Sequence, residues 1–158
     1  MSKRQQLYAA FLVASLVFLL SVATAAASVP PPAAGLLRAM NAARTARGLP
    51  PLRLDRTLMR AAGAHSTDML EHDYFAHTNF AGRMSAYHVR GRLMGENLAW
   101  GNGPYGTAAA VVQEWLASPE HRANLLDRRF GRIGVGVVRG TFQGAANATV
   151  VTADFAGS

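Results

Sequence analysis

Apolar positions recur at helical spacing through the first two-thirds of the chain and alternate near its end. Leu36, Leu37, Met40 and Ala43, with Arg47 closing the series, predict a helix that Gly48 stops and Pro50-Pro51 leads away from. Leu52-Arg53-Leu54 reads as a short extended link. Asp55 is a good N-cap for a second helix that runs to about Glu71, with Leu58, Ala61, Ala62, His65 and Met69 as its inner stripe. His65 therefore reads as a satisfied core histidine. The stretch from His72 to Asn79 breaks the period. His72, flanked by Glu71 and Asp73, reads as a solvated cap, whereas Tyr74 and Phe75 are expected to pin the loop to the core and so fix His77. Arg83 to Arg90 predicts a short helix with Met84 and Tyr87 inward and His88 outward.

Gly95-Glu96-Asn97-Leu98-Ala99-Trp100-Gly101 reads as the start of a buried strand or turn. Burying Glu96 there demands a partner: an arginine, a histidine, a backbone N–H or a metal ion. Asn102 to Gly106 is a loop. Thr107 caps a helix from Ala108 to Ala117, with Ala108, Val111, Val112 and Trp115 facing in. Ser118-Pro119 then breaks the chain and starts another helix. Ser118 is placed to accept from the free N–H groups, Pro119 stands where no N–H is needed, and Glu120 favours the positive helix end. His121 follows in that first turn. From Phe130 to Arg139, Ile133, Val135 and Val137 alternate with Gly134 and Gly136, a strand with one face stripped of side chains so that a helix can approach closely. Thr141 to Asn147 reads as a loop, and Ala148 to Phe155 as a second strand that pairs with the first in an antiparallel hairpin. The order of elements predicts an α+β domain with helices on a small antiparallel sheet.

The N-terminus changes the picture of where the domain begins. Ser2 to Gln6 is a short basic region, Leu7 to Val22 is apolar, and Ala23-Thr24-Ala25 and Ala25-Ala26-Ala27 offer small-x-small cleavage sites. The expected organisation is a signal peptide at 1–27, a Pro/Ala-rich linker at 28–35 and one domain at 36–158. Cleavage and export by the general secretory route would leave no membrane span and place the protein outside the cell or in the periplasm or envelope; the rival reading of the apolar run is an uncleaved membrane anchor. The chain has no cysteine, so an exported domain of about 130 residues must be held by its core. Taking Lys3 and Arg4 from the 16 basic residues leaves 14, all arginines, against 9 acidic ones, a formal charge of about +5. These arginines are scattered, which argues against a nucleic-acid surface and for a solvated basic one.

Three separated motifs carry the candidate chemistry: Phe75-Ala76-His77-Thr78, Gly95-Glu96-Asn97-Leu98-Ala99, and Trp115 to Leu126 with Ser118-Pro119-Glu120-His121 inside it. In order and spacing they resemble the CAP superfamily of cysteine-rich secretory proteins, antigen 5 and pathogenesis-related protein 1 (SCP domains), in its bacterial, cysteine-free branch. Asn41-Ala42-Ala43-Arg44, Gly48-Leu49-Pro50-Pro51-Leu52 and Ile133 to Val137 look like further parts of that family. The resemblance implies a three-layer α-β-α sandwich with a shallow cavity lined by two histidines and two acids. By motif the histidines are His77 and His121, and the first acid is Glu96. Where animal and plant members carry the second acid, three residues after the tryptophan, this chain has Ser118; Glu114 and Glu120 are near without holding that position.

His77, His121 and Glu96 could bind a divalent metal, zinc by ligand type, or perform acid–base work as catalytic residues. None of Ser66, Ser85 and Ser118 sits in a nucleophile motif. Two functional readings follow, beside a blander one in which the polar cluster only ties the loops together. One is a secreted, non-enzymatic binding module for a lipid, glycan or protein, expected to be a monomer. The other is a metal-dependent, peptidase-like hydrolase of the cell envelope.

Overall fold

A computed structural model describes residues 31–158; the signal-peptide reading of 1–27 lies outside them. The elements are α1 (Pro31–Thr45), β1 (Arg53–Leu54), α2 (Arg56–Glu71), α3 (Phe80–Ala86), β2 (Leu93–Asn102), a 3-10 turn (Gly103–Gly106), α4 (Ala108–Ala117), α5 (Pro119–Leu126), β3 (Phe130–Phe142) and β4 (Ala145–Gly157). Helix α1 begins at Pro31, inside the segment expected to be a linker. Pro31 and Pro32 stand in its first turn, where a missing N–H costs nothing, and Ala33 is already in the core.

The four strands lie in the order β1-β3-β4-β2. β3 pairs antiparallel with β4, β4 antiparallel with β2, and β1 parallel with β3. Alternation along β3 and β4 sends side chains to two helical layers. Ile133, Val135, Val151, Ala153 and Phe155 face α1, α4 and α5, where they meet Leu36, Met40, Val111, Trp115 and Leu125. The opposite face packs against α2 and α3 in two smaller clusters, around Leu58, Ala61 and Met84 and around Met69 and Leu98. The result is the expected α-β-α sandwich.

Gly134 and Gly136 face α2. A Cβ on Gly134 would lie 2.0 Å from the Leu58 carbonyl carbon, and one on Gly136 would lie 2.2 Å from the Ala62 oxygen. The bare strand face therefore seats the helix backbone itself. The expected loop at 141–147 is instead a two-residue turn. Gln143 (φ 51°) and Gly144 (φ 76°) both adopt left-handed backbone, and Phe142 pairs directly with Ala145.

Helix α1 also buries a charge. Arg44 is fully buried, and its guanidinium donates to the carbonyls of Pro50 (3.0 Å), Leu125 (2.8 Å), Asp127 (3.0 Å) and Phe130 (3.0 Å). Not every arginine belongs to the solvated surface.

Candidate functional site

Strand β2 places Glu96 and Asn97 on opposite faces of the sheet. Glu96 is buried and points toward α2 and α3. Its Oε1 accepts from His77 Nδ1 at 2.7 Å, and its Oε2 accepts from Arg83. His65 Nε2 lies 3.7 Å from that same oxygen. The partner that burial of Glu96 demanded is thus an arginine and a histidine together. His65 is satisfied by the carbonyl of Ala76 (3.1 Å), as a core histidine should be. Burial and the nearby Arg83 hold its pKa below the ordinary value, so it stays neutral.

The second acid of the cluster comes from β4. Asp154 stands directly opposite Glu96 in the β2–β4 register, on the same face, and accepts from Arg83 Nη2 at 3.3 Å. Burial pushes its carboxyl up to about 8; Glu96 adds to the rise and Arg83 opposes it. One guanidinium therefore serves two opposed carboxyl groups, of which Asp154 holds its proton at neutral pH. Arg83 and Asp154 were not singled out from sequence. An aspartate inside the apolar run of β4 was the visible signal; Arg83 gave none, since it lies 71 positions from Asp154.

A titration tests this assignment. The folded chain keeps the Asp154 proton up to about pH 8, whereas the unfolded chain releases it near 4. The folded state therefore binds more protons between those values, and stability falls as pH rises through them, by up to about 1.4 kcal/mol per pH unit. Folding lowers the titrations of His65 and His121, so they make stability rise with pH through the ordinary imidazole range around 6.5; from about 7 to 8 that contribution fades, and the fall there is expected to belong to Asp154. Urea midpoints across that range should drop for the wild type and flatten in Asp154→Asn. An unchanged slope in the variant would remove Asp154 as its source.

His77 is fixed at one end and open at the other. Its side chain is 54% exposed although Glu96 holds Nδ1. The loop that carries it is pinned by Tyr74, half-buried and bonded through its hydroxyl to Asp68 and Thr78. Phe75, expected to share that role, is instead 42% exposed, because the chain turns it away from the core that Tyr74 fills. His72 bonds the Asp68 carbonyl at the end of α2, as a solvated cap.

His121 stands on α5 beyond the other face of β2. Asn97 Nδ2 donates to its carbonyl (2.9 Å), while Asn124 Nδ2 donates to the Glu96 carbonyl (3.1 Å) and to Asn97 Oδ1 (3.0 Å). These two asparagines tie α5 to the strand that carries Glu96. The His121 ring has a buried, unpartnered Nδ1. Burial lowers its pKa; Glu114 raises it, and the neighbouring His77 lowers it further. The Ser118 side chain does not cap α5. Its backbone ends α4 and accepts from Arg122 N (2.8 Å), but the hydroxyl makes no capping bond, and Pro119 presents no N–H. Ser66, the buried serine, donates to Thr152 Oγ1 (2.9 Å).

The structure therefore brings His77 and Glu96 into direct contact and sets His121 within electrostatic reach of His77. Among the described residues no group of three or more histidine, aspartate or glutamate side chains could hold a metal ion. Glu96 has both oxygens engaged, one by a guanidinium, so it does not fit as a direct ligand. It fits as the residue that orients His77 Nδ1 and leaves Nε2 outward. His121 Nδ1 is buried, so its Nε2 is likewise the nitrogen left for a ligand.

A model described as the cysteine-rich secretory protein family, CAP, matches residues 37–155. The chain belongs to the CAP family. With no cysteine, it fits that family's bacterial, disulfide-free branch. It is 38% identical over 103 residues to YkwD of Bacillus subtilis (strain 168), covering 62% of this chain and 39% of YkwD. An extracellular SCP-domain protein of Bacillus anthracis is 30% identical, with a TM-score of 0.67 over 78% of this chain and 39% of that one. An outer surface protein of Borrelia burgdorferi is 25% identical, with a TM-score of 0.64 over 78% of this chain and 90% of that one. The CAP chain described here thus spans about two-fifths of YkwD and of the B. anthracis protein, and most of the B. burgdorferi protein. Among its described residues no helix is long and apolar enough to cross a membrane.

Proposed function

We propose that this CAP domain is an exported, non-enzymatic binding module whose receptive face lies at His77 and His121 and takes a divalent cation, zinc by donor type. The observation that carries the reading is the His77 ring, held at Nδ1 by Glu96 at 2.7 Å yet 54% exposed. A fixed imidazole turned to solvent is built to meet a ligand. His77 and His121 would hold the ion through Nε2, with Glu96 behind His77 and Arg83 and Asp154 behind Glu96. A bound zinc ion supplies Lewis acidity. Export is supported by the extracellular and outer-surface relatives and by the leader pattern at 1–27.

The oriented Glu96–His77 pair also suits acid–base work, which keeps the metal-dependent hydrolase as a second reading. Against it, Arg83 occupies Glu96 and the buried serine is committed to Thr152. Calorimetry is expected to show uptake of one zinc ion by the wild type and none by His77→Ala or His121→Ala. Binding retained in both variants, or absent from the wild type, rejects the metal reading. Peptide hydrolysis that depends on zinc and is lost in Glu96→Ala would replace the binding module by the hydrolase.

A further inference from the structure

Arginines that are scattered along the sequence are gathered by the fold at one end of the sheet. A groove of about 570 Å³ lies where β1, the start of β3 and the end of β4 come together. Arg53, Arg128, Arg129 and Arg132 line it, with no acidic side chain among the lining residues. Arg53 and Arg132 stand directly opposite each other in the β1–β3 register, so both side chains leave the same face of the sheet. Like charges placed in this way repel.

Carboxylates beside the groove answer two of the four arginines. Asp55 Oδ2 accepts from Arg132 Nη1 at 2.6 Å, and the same guanidinium also donates to the Arg90 carbonyl. Asp127 engages Arg129 through both Nε and Nη2. Arg53 and Arg128 are exposed and enter no ion pair among the described residues. Their charge is left for an anion from outside the chain.

The backbone between them is open to such a ligand. Gly131 is the extra residue of a bulge between Phe130 and Arg132, and so drops out of the ladder with β4. It is exposed, and a Cβ there would meet nothing within 4 Å, so ligand atoms can approach its peptide group closely. Phosphate suits the two free guanidinium groups better than a carboxylate does. One arginine fork uses up both oxygens of a carboxylate, whereas a phosphate monoester offers three and can be shared. The groove is of small-molecule size, larger than one phosphate ion, and Pro50 and Pro51 give it an uncharged wall.

We propose that this groove binds a phosphate ester through Arg53 and Arg128, carried by a soluble molecule or by an anionic lipid headgroup. The site shares no residue with the His77–His121 face and does not depend on the zinc reading.

Phenyl phosphate is the soluble probe, and benzoate, with the same ring and a two-oxygen anion, is its control. Calorimetric titration of the full chain at low salt is expected to show saturable phenyl phosphate binding, with benzoate at least tenfold weaker. Affinity should fall as salt is raised. Arg53→Gln and Arg128→Gln are each expected to weaken phenyl phosphate at least fivefold. Arg139→Gln removes the same charge from the far end of β3 and should leave the affinity nearly unchanged. All three arginines are exposed, so these variants should fold. Benzoate binding as tight as phenyl phosphate, wild-type affinity in both Arg53→Gln and Arg128→Gln, or an equal loss in Arg139→Gln overturns the proposal. Co-sedimentation of the wild type, but not of Arg53→Gln, with phosphatidylglycerol vesicles would support the site and assign the phosphate to a lipid. Phenyl phosphate binding without vesicle capture would support it and assign the phosphate to a soluble ester. Zinc uptake is expected to be unchanged in Arg53→Gln, which keeps this test separate from that of the metal face.

Discussion

Gly134→Ala is expected to destabilise the protein by about 3 kcal/mol or more, at the upper end of overpacking costs, because the added methyl has no flexible neighbour to displace. Its Cβ would stand 2.0 Å from the carbonyl carbon of Leu58 and 2.4 Å from the backbone nitrogen of Met59. Both atoms belong to α2, so relief requires the helix to lift from the sheet. Lifting α2 loosens the packing of Leu58 and Ala61 and carries His65 away from Glu96, which it now approaches to 3.7 Å. Gly131→Ala is the control. It changes the same residue type in the same strand, at a position where a Cβ meets nothing within 4 Å. Urea unfolding should separate the two variants clearly. Similar midpoints would mean that the close approach of α2 to β3 is not what Gly134 provides.

That approach was legible in the sequence, since Gly134 and Gly136 alternate with three branched apolar residues and leave one face bare. The helical stripes, the Asp55 and Thr107 caps and the antiparallel hairpin were legible for the same reason: each depends on neighbours within a few positions. The candidate site was legible only in part. His77, Glu96 and His121 emerged from motifs, and burial of Glu96 could be expected, but its partners could not. Arg83 and Asp154 join it through pairings that only the folded sheet creates. Ser118 had the composition of a cap, yet the geometry at Pro119 leaves its hydroxyl without that role. Phe75 had the composition of an anchor, but Tyr74 takes the inward position. Gln143 gave no turn signal, because its left-handed backbone is set by the two strands that meet there.

Arg44 was the least legible residue, and its removal is the second large effect expected. In the sequence it stood only in the Asn41-Ala42-Ala43-Arg44 motif and among the scattered arginines, with no sign of its burial. In the fold it lies at the junction of α1, the Pro50 loop, the end of α5 and the start of β3, and donates to four carbonyls from complete burial. Burial lowers its pKa while Asp127 opposes the shift, and a guanidinium keeps its proton regardless. The carbonyls of Leu125 and Asp127 are at the end of α5, where positive charge is favoured. Arg44→Met preserves much of the volume but strands these acceptors, at an expected cost of about 3–5 kcal/mol. Against a typical total of about 5–15 kcal/mol, that is enough to bring a domain without disulfides close to unfolding. Arg44→Lys should fall between, because an ammonium donates from one point and cannot span four acceptors. Thermal or urea unfolding checks the order, and a loss within about 1 kcal/mol for Arg44→Met would show that water replaces the guanidinium. The functional consequence follows from what α5 carries. His121 is held to β2 by Asn97 and Asn124, but the far end of its helix is held by Arg44. If the proposed metal reading holds, a variant that remains folded is expected to bind zinc more weakly than the wild type, although Arg44 touches neither histidine.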